Sequence, residues 1–521
     1  MPTMPDKSFS TLLKDLPVTE RRGNLEVSVG NIRFDSRECD ERSLFVALEG
    51  IHVDGNDYVA DAVSRGARAV ICSRMPERAS DSVAYALVPN TQHALSRVSA
   101  ALYDEPSRKM PVIGVTGTDG KSSTVYIIDQ LFSAFGEESG FLSTVARKID
   151  IEVEKNPYRQ STPEAPQIHE ALFEMIEHGK RFAILESTSH GLSEKTGRLM
   201  DVAYQAAVFT NLSHEHLEFH GSFEQYRSDK ANLFRALDRS VNQREIAQEL
   251  PVFGVVNLAD PNAYYFRQAT RQEVLSYGAD VEGADLKATA IEPDMNGTSC
   301  ILHWGQEARR VRIPLVGAFN VENVLAALLT VATMLEQDPL DLADHVRGLS
   351  PLPGRMSRIT GESAPFTLIV DYAHTPGAFE RVLPMVKHTT RGRLITVFGS
   401  AGERDRLKRK LQGRIAGSYA EVVVLTDEDP RLEAPMAILE EISSGVREQW
   451  DSTGSPGRLE LIPDRREAIA RAIDLAEEGD TILCLGKGHE STIEYADGPL
   501  PWNEEEVCRQ LLGESKIEVR R

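Results

Sequence analysis

The stretch MPVIGVTGTDGKSSTVYIIDQLF, residues 110–132, determines the fold predicted for this chain. Its first half contains an apolar, β-branched run, residues 112–115, which predicts a strand buried on both faces. A glycine turn follows at residues 117–120. Hydroxyl side chains suited to a cap then precede apolar residues at helical spacing, so a helix is predicted from Lys121 onward.

A strand, a glycine turn and a helix N-terminus in this order are typical of a phosphate-binding loop. Backbone N–H groups of the turn point at the phosphate, and the helix dipole adds about half a positive charge. In such a loop Lys121 reaches the outer phosphates and Ser122 ligates Mg²⁺. The generic pattern has a glycine five residues before Gly120, where this chain has Val115. The loop is therefore a variant, and an ordinary βα turn is the less favoured alternative.

Composition restricts the class of protein. At 521 residues the chain is too long for one core, and domains of roughly 100–200 residues suggest about three. The net charge of -21 argues against nucleic acid or an anionic membrane as partner. The five cysteines lack metal-ligand spacing, which favours a reducing compartment. We find no signal-peptide pattern and no apolar run of about 20 residues, so a cytoplasmic location is expected.

The order of predicted elements indicates an α/β fold with three domains. Strands at residues 27–34 and 44–48 belong to a first domain, residues 1–108. Apolar strands then alternate with amphipathic helices in a central, doubly wound P-loop domain, residues 109–350. A Pro/Gly-rich break near residue 350 precedes a second alternating pattern, which predicts a Rossmann-like C-terminal domain, residues 351–521.

Polar residues follow the predicted strands of the central domain. Glu186 ends a strand, and ligands of open α/β sheets bind at the carboxyl ends of strands, so Glu186 could reach a Mg²⁺ held by Ser122. The next strand leads to residues 211–221, which contain His214, His216 and His220. Such a loop is either a metal cluster or a solvated loop. Lys230, on a predicted helix at residues 223–237, is by itself typical of a surface lysine.

Taken together, these motifs resemble those of the Mur ligases of peptidoglycan synthesis over nearly the whole chain. TGTDGKSS (residues 116–123) is similar to the family's TGTNGKTT, and TNLSHEHLEFHG (residues 210–221) to its TNLSRDHLDYHG. Further matches are GAFNVEN at 317–323, DYAHTPGAFE at 371–380 and KGHE at 487–490. GRMS at 354–357 departs from the family's GRME at Ser357.

The resemblance implies an ATP-dependent amide-bond ligase that uses Mg²⁺ and acts as a monomer. It would add a free diamino acid to UDP-N-acetylmuramoyl-L-Ala-D-Glu through an acyl phosphate. Two alternatives remain open at this point: a ligase like the folylpolyglutamate synthases, which share the loop and the acyl-phosphate chemistry, and a P-loop ATPase or nucleotide sensor that is not a ligase.

The resemblance also implies roles for individual residues. Those expected to act in catalysis or bind Mg²⁺ are Lys121, Ser122, Glu186, His216 and Lys230, the last as a carbamate. Those expected to bind ATP are Gly117, Thr118, Asp119, Gly120, Lys121, Ser122, Ser123, Asn320, Arg355, Asp371 and His374. The UDP-muramoyl dipeptide would contact Phe34, Ser36, residues 51–53, Ser161, Thr162, Thr188, Glu194 and Arg198. The incoming amino acid would meet Arg404, Glu428, Asp429, Pro430, Arg431, Gly486 and Glu490.

The choice of diamino acid depends on Asp429 and Arg431. Relatives that add meso-diaminopimelate typically have DNPR here, and this chain has Asp429 in place of the Asn. A carboxylate attracts an ammonium and repels a second carboxylate, which favours L-lysine or L-ornithine. Arg431 can bind a carboxylate and keeps diaminopimelate possible.

Overall fold

A computed structural model describes residues 6–50, 53–158, 160–213, 217–243, 245, 250–294, 296–361, 363–454 and 457–515. The chain divides into two compact units. The first comprises Met1–Ala290, Cys300–Val311 and Val321–Val346, and the second comprises Ile291–Ser299, Arg312–Asn320 and Arg347–Arg521. The predicted α/β fold class is confirmed, whereas the three domain boundaries stay predictions.

The first hundred residues form a small parallel sheet of their own within the first unit. The strands stand in the order β2-β7-β6-β5-β4, and only β2 runs antiparallel to its neighbour. The elements are β1 (Lys7–Ser8), α1 (Phe9–Leu12), β2 (Glu20–Arg22), β3 (Ser28–Val29), β4 (Asn31–Arg33), β5 (Ser43–Val46), α2 (Val59–Ser64), β6 (Ala69–Cys72), β7 (Ala84–Leu87), α3 (Thr91–Leu102) and α4 (Pro106–Lys109).

The strand predicted at residues 27–34 is two short strands, β3 and β4, separated by Gly30. A Cβ at Gly30 would lie 2.3 Å from Arg42 Nη2 and 2.4 Å from Asp6 Oδ1, which are the ends of two exposed side chains. Strands β6 and β7 could not be predicted from the sequence, because their short runs of Ala, Val and Tyr lack a clear period.

The chain continues with a longer series of alternating strands and helices. These are β8 (Val112–Thr116), α5 (Lys121–Ala134), β9 (Ser139–Leu142), β10 (Ala146–Lys148), β11 (Glu154–Lys155), α6 (Ala165–Glu177), β12 (Phe182–Glu186), α7 (Ser189–Leu192), β13 (Ala206–Phe209), α8 (Leu217–His220), α9 (Phe223–Ser240), β14 (Phe253–Asn257), α10 (Ala263–Arg267), β15 (Glu273–Ala279), β16 (Leu286–Asp294), β17 (Gly297–Trp304), β18 (Glu307–Ile313), α11 (Ala318–Leu335) and α12 (Pro339–Leu342).

β8 is a central strand of the resulting sheet. The order is β11-β10-β9-β12-β8-β13-β14-β15-β16-β17-β18, and β8 runs parallel to both β12 and β13. Every residue of β8 is buried, as its β-branched composition predicts. Leu172 of α6 and Phe234 of α9 belong to the same core cluster as Val112. Helices that cover β8 in this way hold its end, and the loop behind it, in a fixed position.

Helix α11 is long and apolar enough to cross a membrane by length and composition. Of that stretch, 72% is buried inside the protein. Burial of this extent is typical of the core helix of a globular domain, since such helices pass the same test.

The second unit contains a further parallel sheet with helices on both faces. Its order is β19-β20-β24-β21-β22-β23, and only β19 is antiparallel to its neighbour. The elements are β19 (Ser357–Arg358), β20 (Thr367–Asp371), α13 (Pro376–Thr389), β21 (Leu394–Phe398), α14 (Leu407–Tyr419), β22 (Val422–Leu425), α15 (Pro435–Thr453), β23 (Arg458–Leu461), α16 (Arg465–Leu475), β24 (Thr481–Leu485), β25 (Thr492–Tyr495), β26 (Gly498–Pro501) and α17 (Glu504–Glu514).

Candidate active site

Three strands of the first unit end at the same edge of the sheet, where the phosphate-binding loop begins. Glu186 of β12 pairs with Val115 of β8, and Phe209 of β13 pairs with Thr116 of β8. The carboxyl ends of parallel strands are where open α/β sheets bind ligands. This register places Glu186 on one side of the loop and residues 210–213 on the other.

The loop is held by the residues that follow β13. The Thr118 N–H donates to the Asn211 carbonyl oxygen at 2.8 Å, and the Asp119 N–H donates to Asn211 Oδ1 at 3.0 Å. Thr210 Oγ1 donates to the Asp119 carbonyl oxygen at 2.6 Å. Gly117 has a φ of 150°, and a Cβ there would lie 1.9 Å from Thr210 Oγ1. Only glycine permits this approach, and the loop is therefore fixed before any ligand binds.

Ser122 and Glu186 meet as the sequence predicts. Ser122 Oγ donates to Glu186 Oε2 at 2.7 Å. Thr144, which the sequence analysis missed, donates its N–H to Glu186 Oε2 and its hydroxyl to Glu186 Oε1, each at 2.8 Å. Hydroxyl and carboxylate oxygens in contact are ligands that Mg²⁺ accepts, so this pair fits the ion. Nothing in the local sequence around Thr144 indicates its role.

Lys121 contacts its own loop, with Nζ donating to the Thr118 carbonyl oxygen at 2.7 Å. An ammonium at this position lies beside the N–H groups of the turn. The arrangement is consistent with the predicted contact to outer phosphates.

Lys230 is buried, although by itself the sequence favours a surface lysine. Its side chain lies on α9, is 2% exposed, and donates from Nζ to the Gly117 carbonyl oxygen at 2.6 Å. The ammonium also lies 4.6 Å from the centre of the Tyr226 ring. The surface interpretation is wrong because α9 presents this face to the loop.

The histidine-rich loop is only partly described. His214 and His216, the second a predicted Mg²⁺ ligand, lie outside the described residues. Among the residues that are described, no group of His, Cys, Asp and Glu has the arrangement of a metal cluster. His220 is buried between Asp229 Oδ2, at 2.7 Å from Nδ1, and Ser189 Oγ, at 3.0 Å from Nε2. This histidine links α7 to α9.

Several residues predicted to bind the dipeptide cluster beside Glu186. Thr162 Oγ1 lies 2.9 Å from Thr188 Oγ1 and donates to the Glu186 carbonyl oxygen at 3.0 Å. Arg198 Nη1 donates to the Thr162 carbonyl oxygen at 3.1 Å, and Arg198 also pairs with Glu164 at 2.6 Å. Ser161 precedes Thr162 and is half-buried. The structure thus brings Thr162, Thr188 and Arg198 together.

Other predicted contacts lie further away in the first unit. Glu194 is exposed, and its carbonyl oxygen lies 2.9 Å from His93 Nε2. Ser36 donates its hydroxyl to Asp61 at 2.7 Å, and Phe34 packs against the core of the first sheet. Val53 is exposed, while residues 51 and 52 lie outside the described part of the chain.

In the second unit, Asp371 ends β20 and is buried. Its carboxylate accepts the N–H groups of Met356 and Ala373, each at 2.8 Å. Burial raises the pKa of Asp371 above its usual value. The Arg355 guanidinium lies 4.6 Å from the centre of the Tyr372 ring. The remaining two predicted nucleotide contacts in this unit are placed by backbone carbonyls, with His374 Nδ1 3.0 Å from Tyr372 O and Asn320 Nδ2 2.9 Å from Val316 O.

The residues predicted to meet the amino acid follow β22 and β24. Lys487, fully buried, donates from Nζ to Asp429 Oδ1 at 2.8 Å and to Glu490 Oε2 at 2.5 Å. Asp429 Oδ1 also accepts the Glu494 N–H at 3.0 Å. The negative charge of Asp429 is therefore balanced within the protein, which the sequence analysis did not foresee.

Glu428 is in a different position from Asp429. Its side chain is buried, and its Oε2 atom has no hydrogen-bond partner among the described residues. A Cβ on Gly486 would lie 3.1 Å from that oxygen, so Gly486 leaves room above the carboxylate. Pro430 is buried, Arg431 adopts a φ of 55° with its N–H bonded to Glu494 O, and Arg404 is exposed before α14.

Sequence comparison relates every part of this architecture to one family. Residues 28–103 match the Mur ligase family catalytic domain, residues 115–331 the Mur ligase middle domain, and residues 354–488 the Mur ligase glutamate ligase domain. A UDP-N-acetylmuramyl-tripeptide synthetase of Borreliella burgdorferi is 42% identical over 495 residues, 94% of either chain. The chain belongs to the Mur ligase family.

Two further relatives agree with the family assignment. A UDP-N-acetylmuramoyl-L-alanyl-D-glutamate–2,6-diaminopimelate ligase of Geobacillus thermodenitrificans is 36% identical over 98% of this chain and 100% of its own. The solved structure of a ligase with the same name aligns with a TM-score of 0.67 and 28% identity, covering 98% of this chain and 99% of the other. These ligases align with nearly the whole chain. The alternative of a P-loop ATPase that is not a ligase is therefore not favoured.

A first prediction concerns Gly120 of the Mur ligase loop, which has a φ of 81°. A Cβ there would lie 2.3 Å from Asn323 Oδ1, which also accepts from Thr124 Oγ1. Gly120→Ala should lower the thermal midpoint more than Gly136→Ala. Gly136 has a φ of 73° with no atom within 4 Å of its Cβ position. Both variants carry a left-handed penalty of about 1–2 kcal/mol, and only Gly120→Ala adds a clash. Equal losses in calorimetry would contradict this explanation.

A second prediction concerns Asp427, which follows β22. Burial raises the pKa of Asp427 to about 6. Since the folded carboxyl keeps its proton to higher pH than the unfolded one, stability falls as pH rises between about 4 and 6. Asparagine has no proton to lose and still accepts from the Tyr495 hydroxyl, which lies 3.1 Å from Asp427 Oδ2. The midpoint of Asp427→Asn relative to wild type should therefore rise between about pH 4 and pH 7. A pH-independent difference would exclude the shift.

Proposed function

We propose that this Mur ligase uses ATP to join a diamino acid to UDP-N-acetylmuramoyl-L-Ala-D-Glu. The observation that carries the proposal is the arrangement at the end of β8, where Lys121, the Ser122–Glu186 pair and buried Lys230 surround one phosphate-binding loop. The identity of the acceptor substrate, UDP-N-acetylmuramoyl-L-Ala-D-Glu, is proposed from the names of the relatives. A folylpolyglutamate synthase is not favoured because the family match extends through residues 28–103.

The reaction begins with the terminal carboxylate of the dipeptide, which attacks the γ-phosphate of ATP. The backbone N–H groups of the loop and the Lys121 ammonium hold the phosphates and balance the charge that develops on them. Ser122, Glu186, His216 and a carbamate on Lys230 would hold Mg²⁺, which would supply further positive charge at the phosphates. The product of this step is an acyl phosphate with ADP bound beside it.

The dipeptide must be anchored with its carboxylate near the loop. Thr162, Thr188 and Arg198 are proposed for this role, because their contacts join them to the main chain of Glu186. Ser161 and Glu194 are proposed as further contacts to the same substrate. The UDP end is assigned to Phe34 and Ser36. Such anchoring converts the attack into an intramolecular step, which is a large part of catalysis in ligases of this type.

The nucleoside part of ATP is assigned to residues of the second unit. Asp371 is proposed as an acceptor for the ribose or its neighbours, with Arg355, His374 and Asn320 around it. The two N–H groups that the Asp371 carboxylate accepts fix its orientation. A carboxylate fixed in this way is preorganised for a ligand hydroxyl.

The second step is attack of the amine on the acyl phosphate, with phosphate as leaving group. The amine is proposed to lie among Arg404, residues 428–431, Gly486 and Glu490. Glu428 supports a cationic substrate, since a buried carboxylate oxygen without a hydrogen-bond partner favours an incoming ammonium. Asp429 already has Lys487 as partner. We propose lysine or ornithine as the preferred substrate, with Glu428 as its main anionic contact.

We further propose the domain boundaries near residues 108 and 350, a cytoplasmic location and a monomeric state. The relatives are named for the synthesis of a UDP-muramyl tripeptide, which supports a role in peptidoglycan precursor synthesis. Substrates of this kind are anionic and small. The net charge of -21 therefore requires local cations such as Lys121 and Arg198 at the binding sites.

The experiment that tests the function is ADP release by the purified protein. Release should require both UDP-N-acetylmuramoyl-L-Ala-D-Glu and a diamino acid, and chelation of divalent cations should abolish it. A glutamyl folate acceptor is the comparison. ADP release with the folate and none with the nucleotide sugar would contradict the proposal.

A third prediction concerns Lys230. Lys230→Ala should lower kcat by roughly a hundredfold or more, because the metal-held charge is lost, and short carboxylates such as acetate should restore part of it. Lys180→Ala is the matched control. Lys180 is also buried, but it pairs with Glu138 at 2.6 Å, so its loss should reduce stability without carboxylate rescue. Normal turnover of Lys230→Ala would remove this residue from the site.

A fourth prediction distinguishes the roles of Glu428 and Asp429 by replacing each carboxylate with its amide. Glu428→Gln should raise the KM for lysine or ornithine by about 10- to 100-fold, since a charge-assisted hydrogen bond is lost. Asp429→Asn keeps an acceptor for Lys487. It should mainly raise kcat/KM for diaminopimelate relative to lysine, because a negative charge near the distal carboxylate is removed. An unchanged KM in Glu428→Gln and an unchanged ratio in Asp429→Asn would show that neither residue contacts the distal end.

A further inference from the structure

Arg465 and Glu504 form a buried ion pair in the second unit that the proposed chemistry does not use. They are the first residues of α16 and α17, and both side chains are 0% exposed. Arg465 Nε donates to Glu504 Oε2 at 2.8 Å, and Nη2 donates to Oε1 at 2.6 Å. Trp502 Nε1 donates to Glu504 Oε2 at 2.7 Å. A buried pair of this kind is often no more stabilising than apolar residues of similar volume, so its presence requires another explanation.

Two further N–H groups of the guanidinium donate to backbone carbonyls. Nη1 donates to the Asp427 oxygen and Nη2 to the Leu485 oxygen, each at 2.8 Å. Leu485 is the last residue of β24, and Asp427 follows the end of β22. Each carbonyl immediately precedes a segment assigned to the amino acid, residues 428–431 and residues 486–490. Arg465 is therefore bonded at the base of both segments.

The two strands that Arg465 connects are not neighbours. The sheet order places β21 between β24 and β22, so no strand pairing joins the ends of β24 and β22 directly. A planar guanidinium presents its donors in a rigid fork, which suits it to hold two carbonyls and one carboxylate in a fixed geometry. Lysine has a single ammonium on a flexible stem and lacks this fork.

The next residue of α17 contacts a third segment. Glu505 Oε1 accepts the Gly354 N–H at 2.8 Å, and Gly354 precedes Arg355. The first turn of α17 thus touches the segments assigned to the amino acid, through Arg465, and the segment assigned to the nucleotide, through Glu505. Glu504 and Glu505 are adjacent in sequence, but Glu504 contacts Arg465 and Glu505 contacts Gly354.

We infer that Arg465, held in place by Glu504, is a positioning residue for the amino-acid substrate. It sets the separation of residues 428–431 and 486–490 and thereby the distance between Glu428 and Glu490. The inference rests on the proposed function, because that function assigns both segments to one substrate. Displacement of a binding group by about 1 Å is enough to reduce activity strongly, so a brace at this position affects binding of the amine.

The test is the pair Arg465→Lys and Arg393→Lys. Arg393 has matching chemistry at the opposite edge of the same sheet, where it donates to Asp480 Oδ2 at 2.7 Å and to the Leu475 carbonyl oxygen at 2.9 Å. Arg465→Lys should raise the KM for the diamino acid about tenfold or more while the KM for ATP and for the nucleotide sugar stay as in wild type. Arg393→Lys should lower only the thermal midpoint.

A second variant keeps the test decisive if Arg465→Lys folds poorly. Arg465→Met combined with Glu504→Leu removes both charges and leaves no buried ion unpaired, so it avoids the largest cost of breaking the pair. It also removes the donors to both carbonyls and should raise the KM for the diamino acid alone. An unchanged KM for the diamino acid in these variants, or an equal rise for all three substrates, would overturn the positioning role.

The outcome is distinguishable from failure of the proposed function. Absence of diamino-acid-dependent ADP release in the wild type would contradict the function, and the inference with it. Wild-type turnover together with an unaltered KM in Arg465→Lys would contradict the inference alone.

Discussion

The hydrogen bond from Lys230 to the Gly117 carbonyl oxygen joins the helix α9 to the turn at the end of β8. A buried N–H group is costly unless it is hydrogen-bonded, and this contact supplies an acceptor for the free lysine as well as for the N–H that a carbamated lysine retains. The position of α9 depends in turn on its packing with the core under β8. Displacement of α9 would therefore move Lys230 and remove its hydrogen bond to the start of the loop.

The loop is constrained from the other side by residues 210–213. Asn211 uses both its main chain and its side chain to hold Thr118 and Asp119, and Glu186 is fixed by Ser122 and Thr144. Groups that are already oriented need little reorganisation when charge develops on a phosphate. The parallel pairing of β8 with β12 and β13 thus also brings Glu186 and residues 210–213 to the loop in fixed orientations.

Part of this site could be predicted from sequence because the signals are local. The order of strand, glycine turn and helix fixes β8, the loop and α5. Because ligands bind at the carboxyl ends of parallel strands, the sequence alone predicts that Glu186 lies near Ser122. Lys230 is different, since only the resemblance to the Mur ligases distinguished it from a surface lysine. Thr144 was missed because it reaches Glu186 through tertiary packing and has no pattern of its own. Asn323 lies in the GAFNVEN motif, but the motif alone did not indicate its contact with Thr124.

In the second unit, contacts between residues that are distant in sequence were also missed. Four of its strands, β20, β21, β22 and β24, were predicted from their apolar runs. The strands β19, β23, β25 and β26 were not predicted, because they are short or carry charged and proline residues. The partners of Asp429 and the fork of Arg465 could not be predicted, because Lys487 and Glu504 are distant in sequence from the groups they contact. Asp429 appeared to be the residue that selects the diamino acid. Its pairing with Lys487 balances its charge within the protein, and we therefore propose Glu428 as the main anionic contact of the substrate.

The central claim is that the dipeptide carboxylate becomes an acyl phosphate before the amine attacks. The most direct measurement uses UDP-N-acetylmuramoyl-L-Ala-D-Glu labelled with ¹⁸O in its terminal carboxylate, followed by mass analysis of the phosphate released during ligation. The carboxylate oxygen that attacks phosphorus leaves with the phosphate, so the account predicts transfer of label from carboxylate to inorganic phosphate for each amide formed. Formation of the amide with unlabelled phosphate would contradict it.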